Sequence, residues 1–341
     1  MKRIRIVHET QYHYNQPVKF GPHRALLRPR EGHDVHISRS RLSVAPAAAV
    51  RWLRDIYGNS IAVLTFEESS QRLSVASEVD VELYDDNPIE CLIEPTAREF
   101  PFQYLPEEQV ELVVYRLPSY PYDGPQLQNW LHDLYRPGQV ISTFDLLHKL
   151  NAHIHKSFKY ARREEPGVQL PHETLMLGSG SCRDFAVLMM EGARHWGFGA
   201  RFVTGYIQMG EGQHGATHAW TEIYIPGAGW HGFDPTNNKI VGGEHVSVVS
   251  TAYVSLSPGF AARSSPWRRG QKARPSPTRS TAPNSKKSAN CLSQAIAGTA
   301  RAMATPRKQI GRDERLRPAR KAPSASSIRS TRPVAGAGMS C

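Results

Sequence analysis

Residues 178–234 constrain the fold more than any other stretch, because a glycine-rich turn, an apolar run with helical spacing and two strand-like hairpin arms succeed one another there. Gly178-Ser179-Gly180-Ser181 leads into Cys182-Arg183-Asp184-Phe185-Ala186. Phe185, Leu188, Met189 and Trp196 then recur at the spacing of one buried helical face, which Gly197 and Gly199 end. Strands are expected at 201–208, 218–225 and 230–234. A helix packed on an antiparallel sheet is an α+β layout.

Three residues of this segment carry chemistry. Cys182 opens the helix, His218 lies on the second strand and Asp234 ends the third. A thiol, an imidazole and a carboxylate are the parts needed for nucleophilic acyl transfer on amides. Only the thiolate attacks, and a helix N-terminus supplies partial positive charge and free amide donors that favour it. The Cys182 N–H is a natural oxyanion donor behind the glycine turn. His218 is expected to take the thiol proton and return it to the leaving amine, with Asp234 holding the ring. Hairpin register tests this. A loop spanning all of 226–229 would put Asp234 on the wrong side of the sheet, whereas a three-residue loop, Pro226-Gly227-Ala228, pairs Asp234 with Trp220. His218 is then its diagonal neighbour on the same face.

Other polar residues compete less well. His214 falls in a glycine-bounded loop and reads as a substrate contact; His172, His195 and His231 are weaker candidates for the base. Trp220, Trp230 and Tyr206 read as core or cleft wall, and Asp184, on the nucleophile helix, reads as a capping residue.

Residues 1–90 alternate in short strand-like runs at 3–7, 12–14, 35–44, 52–56, 62–66 and 73–83, punctuated by Pro17, Gly21, Pro29, Gly32, Pro46 and Gly58-Asn59. This is an N-terminal all-β, sandwich-like module. Its histidines, His8, His13, His23, His33 and His36, follow no metal-ligand spacing and are expected to be exposed strand residues. A Pro-rich, acidic connector covers 91–125. Helical faces follow at Leu127, Trp130, Leu131, Leu134 and at Phe144, Leu147, Leu150, Ile154, Phe158, so the catalytic domain is placed at 126–256.

Charge divides the chain in the same way. Residues 257–341 hold 18 Lys and Arg against only Asp313 and Glu314, while 1–256 hold 24 basic and 29 acidic residues. The tail is rich in Arg, Ser, Pro and Ala, a composition expected to be disordered. A basic arm for nucleic acid is one reading; a shifted reading frame is favoured, because the break falls inside a strand-like stretch and no aromatic interleaving follows. A nucleic-acid partner is therefore expected only if the tail is native. Cys91, Cys182, Cys291 and Cys341 are widely spaced with no CxxC pair, which indicates neither a disulfide framework nor a zinc knuckle. With no signal-peptide pattern and no long apolar run, a cytoplasmic protein without membrane contact is expected.

The same segments resemble the bacterial transglutaminase-like family, whose members are often described as candidate cysteine proteases. The resemblance runs through Gly180-Ser181-Cys182-Arg183-Asp184-Phe185-Ala186, through residues 217–230 beginning Thr217-His218-Ala219-Trp220, and through Gly232-Phe233-Asp234-Pro235-Thr236-Asn237. At the start of the chain, Ile4-Arg5-Ile6-Val7-His8-Glu9-Thr10, Tyr12-His13-Tyr14, Pro17-Val18 and Leu27-Arg28-Pro29-Arg30 are similar to that family's N-terminal region. The resemblance implies a papain-like Cys-His-Asp site at Cys182, His218 and Asp234 with no cofactor and no catalytic metal. The expected activity is acyl transfer on a peptide or protein amide through a thioester, with hydrolysis favoured over amine transfer because water needs no second binding site. A catalytically silent peptide-binding scaffold is the alternative, against which the intact trio argues.

Overall fold

The computed structural model describes residues 1–84, 93–163, 167–208 and 216–254. The basic tail, His214, Cys91, Cys291 and Cys341, with the expectations attached to them, lie outside the described residues.

The N-terminal part is built from β1 (Lys2–Lys19), β2 (His23–Ala25), β3 (Val35–Ala45), β4 (Ala48–Arg54), β5 (Ser60–Phe66) and β6 (Ser69–Leu83). They form two antiparallel three-stranded sheets, β1-β6-β3 and β2-β5-β4. In β6 the residues Leu73, Val75, Ser77, Val79, Val81 and Leu83 are buried in strict alternation, so one face of the longer sheet is buried along its whole length and, apart from Ser77, apolar on this strand. One end of that face, at Leu73 and Val75, packs on Phe20, just past β1, and on Ala25, Leu64 and Phe66 of the second sheet. The other end needs a different partner. β1 runs unbroken past Pro17 because its pairing with β6 shifts between His13 and Val18, which keeps the proline out of the ladder.

Past the N-terminal sheets, β7 (Glu99–Phe100) pairs with β8 (Ile141–Ser142), and the connector forms helices α1 (Pro106–Glu111) and α2 (Val113–Arg116). α3 (Gly124–Leu131), α4 (Thr143–Ser157), α5 (Pro171–Leu177) and α6 (Cys182–His195) follow, with β9 (Lys159–Tyr160) and β10 (Ser179–Gly180) forming a short parallel pair beside the last. Among the described residues no helix is long and apolar enough to cross a membrane.

The five-stranded sheet is antiparallel in the order β14-β13-β12-β11-β15. Its strands are β11 (Ala200–Ile207), β12 (Ala216–Ile225), β13 (Gly229–Asp234), β14 (Lys239–Ile240) and β15 (His245–Thr251). Phe185, Leu188 and Met189 of α6 pack with Leu131, Leu146, Leu150 and Ile154 on one side and with Phe202, Ala219, Ile223 and Phe233 of the sheet on the other. The far end of α6 is pinned by a buried ion pair, Arg194 to Glu191 at 3.1 Å, with the guanidinium also donating to the carbonyls of Ala200 and Ala252.

A second cluster joins the two halves. Ile6, Val35, Ile37, Val79, Val81 and Leu83 pack against Tyr206 of β11 and Val246, Val248 and Val249 of β15. Polar contacts lock the same boundary. Arg30 N–H donates to Ser247 O at 2.8 Å, and Asn59 exchanges two hydrogen bonds with the Ser250 backbone at 2.8 and 3.0 Å. This boundary corrects one expectation. His8 and His23 are buried, not exposed, because β1 and β2 present them inward: His8 meets the Tyr206 hydroxyl at 3.3 Å and His23 meets Gly21 O at 2.7 Å. His13, His33 and His36 are exposed.

Candidate active site

The segment around Cys182 is held by its backbone. α5 ends at Gly178, after which β10 pairs with β9 and the chain turns into α6. Gly180 sits so close to this turn that a Cβ there would lie 2.9 Å from the Asp184 Cβ and 3.1 Å from the Gln169 side-chain oxygen. Asp184, at the third helical position, accepts from Ser181 N at 2.8 Å, Ser181 Oγ at 2.7 Å, Gln169 N at 2.6 Å and Arg163 Nη1 at 2.7 Å. This is the capping role expected of it. It fixes the turn so that Cys182 stands at the first helical position, where its N–H has no intrahelical acceptor and the helix dipole is positive. The Cys182 thiol is free and partly exposed.

Across from it, the β12–β13 hairpin has the expected three-residue loop. Thr221 pairs with Phe233 and Ile225 with Gly229, a register that sets Asp234 opposite Trp220. His218 Nε2 lies 2.9 Å from Asp234 Oδ2, and both side chains are buried. With Nε2 given to the carboxylate, Nδ1 is the nitrogen left for the thiol. Burial opposes a charge on His218. Hydrogen bonds to Asp234 and Cys182, with the charges on both, outweigh it and push the imidazole up to about 9. Burial likewise opposes charge on Asp234, but donors from His218, His245 and Asn237 hold its carboxyl well below the usual carboxylate range.

Asp234 is the most heavily bonded group of the site. Oδ1 accepts the N–H of Thr236 at 3.0 Å and of Asn237 at 3.2 Å; Oδ2 accepts Asn237 Nδ2 at 2.7 Å and faces His245 Nε2 at 3.2 Å as well as His218. Sequence reasoning missed His245, which stands eleven residues beyond Asp234 with no motif around it, and gave Asn237 no role. It also passed over Tyr160, whose hydroxyl is pushed up by burial and by the nearby Cys182.

The competing residues fall elsewhere. His172 pairs with Asp123 at 2.9 Å, and His195 ends α6 opposite the thiol. His231 pairs in register with Ile223. Trp220 is fully buried, Tyr206 belongs to the boundary cluster, and Trp230 lies under the Arg201 guanidinium at 4.1 Å. Among the described residues, His218, Asp234 and His245 form a group whose ligand-type atoms lie within 4.8 Å of one another and could in principle hold a cation. Both Nε2 atoms already face a single carboxylate oxygen at hydrogen-bond distance.

An uncharacterised Mycobacterium tuberculosis protein is 27% identical over 278 residues, covering 72% of this chain and 82% of its own. An uncharacterised Mycobacterium leprae protein is 25% identical, covering 76% and 92%. The crystal structure of a candidate cysteine protease from Cytophaga hutchinsonii shares the fold, with a TM-score of 0.58 at 18% identity over 75% of this chain and 83% of that one. Residues 4–82 match the bacterial transglutaminase-like N-terminal region, and residues 139–235, which include the thiol, the imidazole and the carboxylate, match the transglutaminase-like superfamily. The chain thus belongs to the transglutaminase-like superfamily and carries its bacterial N-terminal region.

Proposed function

We propose that this chain is a cysteine-dependent acyl-transfer enzyme acting on peptide or protein amides, with Cys182 as nucleophile, His218 as base and acid, and Asp234 as the orienting carboxylate. The observation that carries the reading is the continuous chain of contacts from thiol to imidazole to carboxylate, ending in the 2.9 Å bond between His218 and Asp234.

The chemistry follows from the placement. The Cys182 thiolate adds to the amide carbonyl carbon, and the carbonyl electrons move to oxygen, where the Cys182 N–H at the helix end stabilises them. His218 delivers its Nδ1 proton to the departing nitrogen, the C–N bond breaks, and a thioester remains. Water or an amine then adds to the thioester while His218 takes its proton; collapse frees the acid or the new amide and restores the thiol. We favour water, since hydrolysis asks for no amine pocket. The thiol must stay reduced, which suits the cytoplasm.

The test is alkylation by an amide-mimicking electrophile followed by mass analysis, on wild type and on Cys182→Ala, His218→Ala and Asp234→Ala. Wild type is expected to label at Cys182 alone at neutral pH, with the His218 variant slowed by about 100-fold or more and the Asp234 variant by less. Equal labelling of Cys91 or Cys291 would sink the proposal. Incubation of a labelled amine with a glutamine-rich protein then separates transfer, which incorporates the label, from hydrolysis, which does not.

A further inference from the structure

His245 is the group that the acyl-transfer scheme leaves unused. It opens β15, is almost completely buried, and faces Asp234 Oδ2 at 3.2 Å, the same oxygen that His218 holds at 2.9 Å. Its other nitrogen, Nδ1, is buried with no hydrogen-bond partner. An ionised carboxylate only accepts, so the nitrogen that faces it, Nε2, carries a proton. The Trp220 ring stands edge-on to the imidazole at 5.3 Å and fixes its plane. Among the described residues the titratable and charged neighbours are few. They are Asp234 of β13, His218 of β12 beyond it, and the adjoining Glu244, which is paired to Lys239 at 2.6 Å and also feels Lys2.

A third donor on Oδ2, beside His218 and Asn237, has a definite electrostatic consequence. The positive end of the Nε2–H dipole draws on charge that Asp234 would otherwise present more fully to His218. Asp234 does not need His245 in order to stay in place, since two backbone amides and Asn237 already hold it. We propose that His245 is a positioning residue that acts through Asp234: it donates Nε2–H to Oδ2, limits the negative charge acting on His218, and so keeps the His218 proton transferable to the leaving amine. A general acid works best with a proton affinity matched to its operating pH, and a carboxylate lacking this further donor would hold that proton more tightly. The role rests on the acyl-transfer reading of the site.

The position of His245 is set by the rest of β15. The next residues, Val246, Val248 and Val249, lie in the apolar cluster with the N-terminal sheet, and Ser247 and Ser250 are tied to Arg30 and Asn59. The imidazole is therefore mounted on a strand that the N-terminal module clamps from behind.

The experiment compares wild type with His245→Leu and His245→Gln on the full chain, reading the rate of Cys182 alkylation by iodoacetate against pH. This anion reacts fastest when thiolate and imidazolium coexist, so its alkaline limb reports His218, and neutral iodoacetamide serves as the control. Wild type is expected to show a limb near 9. His245→Leu is expected to move it upward by about one pH unit, and His245→Gln, which can still donate an N–H, is expected to restore it. An unmoved limb in His245→Leu, or an equal displacement in His245→Gln, overturns the proposal. Histidine 15N spectra of the wild type give a reading that needs no variant: the imidazole assigned to His245 by through-bond connectivity to its own backbone is expected to be protonated at Nε2, and an Nδ1–H tautomer overturns the role. If wild-type Cys182 fails to alkylate, the acyl-transfer reading falls. If it alkylates and the variants match it, only the role of His245 does.

Discussion

His218 and Asp234 exchange charge for hydrogen bonds in a site that excludes most water, so each titrates away from its ordinary range, and in opposite directions. His218 rises from 6.5 to about 9. A raised imidazole contributes stability that is fully present below pH 6.5 and is lost as pH climbs through 9. Asp234 is depressed, so its contribution is present above the ordinary carboxylate range and is lost only in strong acid. The urea midpoint of wild type is therefore expected to fall between pH 7 and pH 9.5, and that fall is expected to vanish in His218→Ala; a parallel fall in the variant would assign the slope to other groups. The trio was legible in the sequence because each member sits in a local pattern: a glycine turn before an apolar helix for Cys182, and alternating strands joined by a Pro-Gly loop for His218 and Asp234. His245 had no such pattern. Its role exists only because β15 folds back beside β11, a long-range pairing that no window of sequence displays.

At the level of elements, the hairpin register followed from counting loop residues, since period-two alternation leaves only one loop length that puts Asp234 and His218 on one face. The bulge beside it did not. β11 shifts its register against β15 between Thr204 and Gly205, and Gly205 lies opposite His218 on its other side. A Cβ at Gly205 would run into the Val246 carbonyl and come within 2.8 Å of the Trp220 ring. That close approach lets β15 and Trp220 crowd against the site, and a glycine in a strand is weak notice of it. Gly205→Val is expected to cost about 2–4 kcal/mol in urea unfolding, from overpacking and displaced pairing. It is also expected to weaken the grip of His245 on Asp234, moving the alkaline limb of Cys182 alkylation in the same direction as His245→Leu. Loss of stability with an unchanged limb would show that the bulge serves packing alone.

Over the whole molecule, composition divides the chain into units, but the apolar cluster spanning Ile6, Val79, Val81, Tyr206, Val246 and Val248 is common to both halves. This is also why the buried histidines of the N-terminal strands escaped a reading by local pattern: alternation shows that a residue faces one side of a sheet, not that a second sheet will cover that side. His8 is the sensitive point of the boundary. Burial drives its imidazole down to about 4, with Tyr206 and Thr10 as its polar contacts. A lowered imidazole gives stability that is complete above pH 6.5 and is withdrawn as pH falls toward 4, because the unfolded chain takes up the proton first. The full effect is about 3 kcal/mol. Wild type is therefore expected to lose stability between pH 6.5 and 4.5 in a single cooperative transition reported alike by near-ultraviolet dichroism and by Trp fluorescence, since a shared core leaves neither half a separate way to unfold. His8→Gln, which keeps a hydrogen-bonding side chain but cannot charge, is expected to flatten that dependence. A slope of equal size in the variant would move the acid-sensitive group elsewhere, and two resolved transitions in the wild type would mean that the N-terminal sheets and the five-stranded sheet are not held as one body by the surface they share.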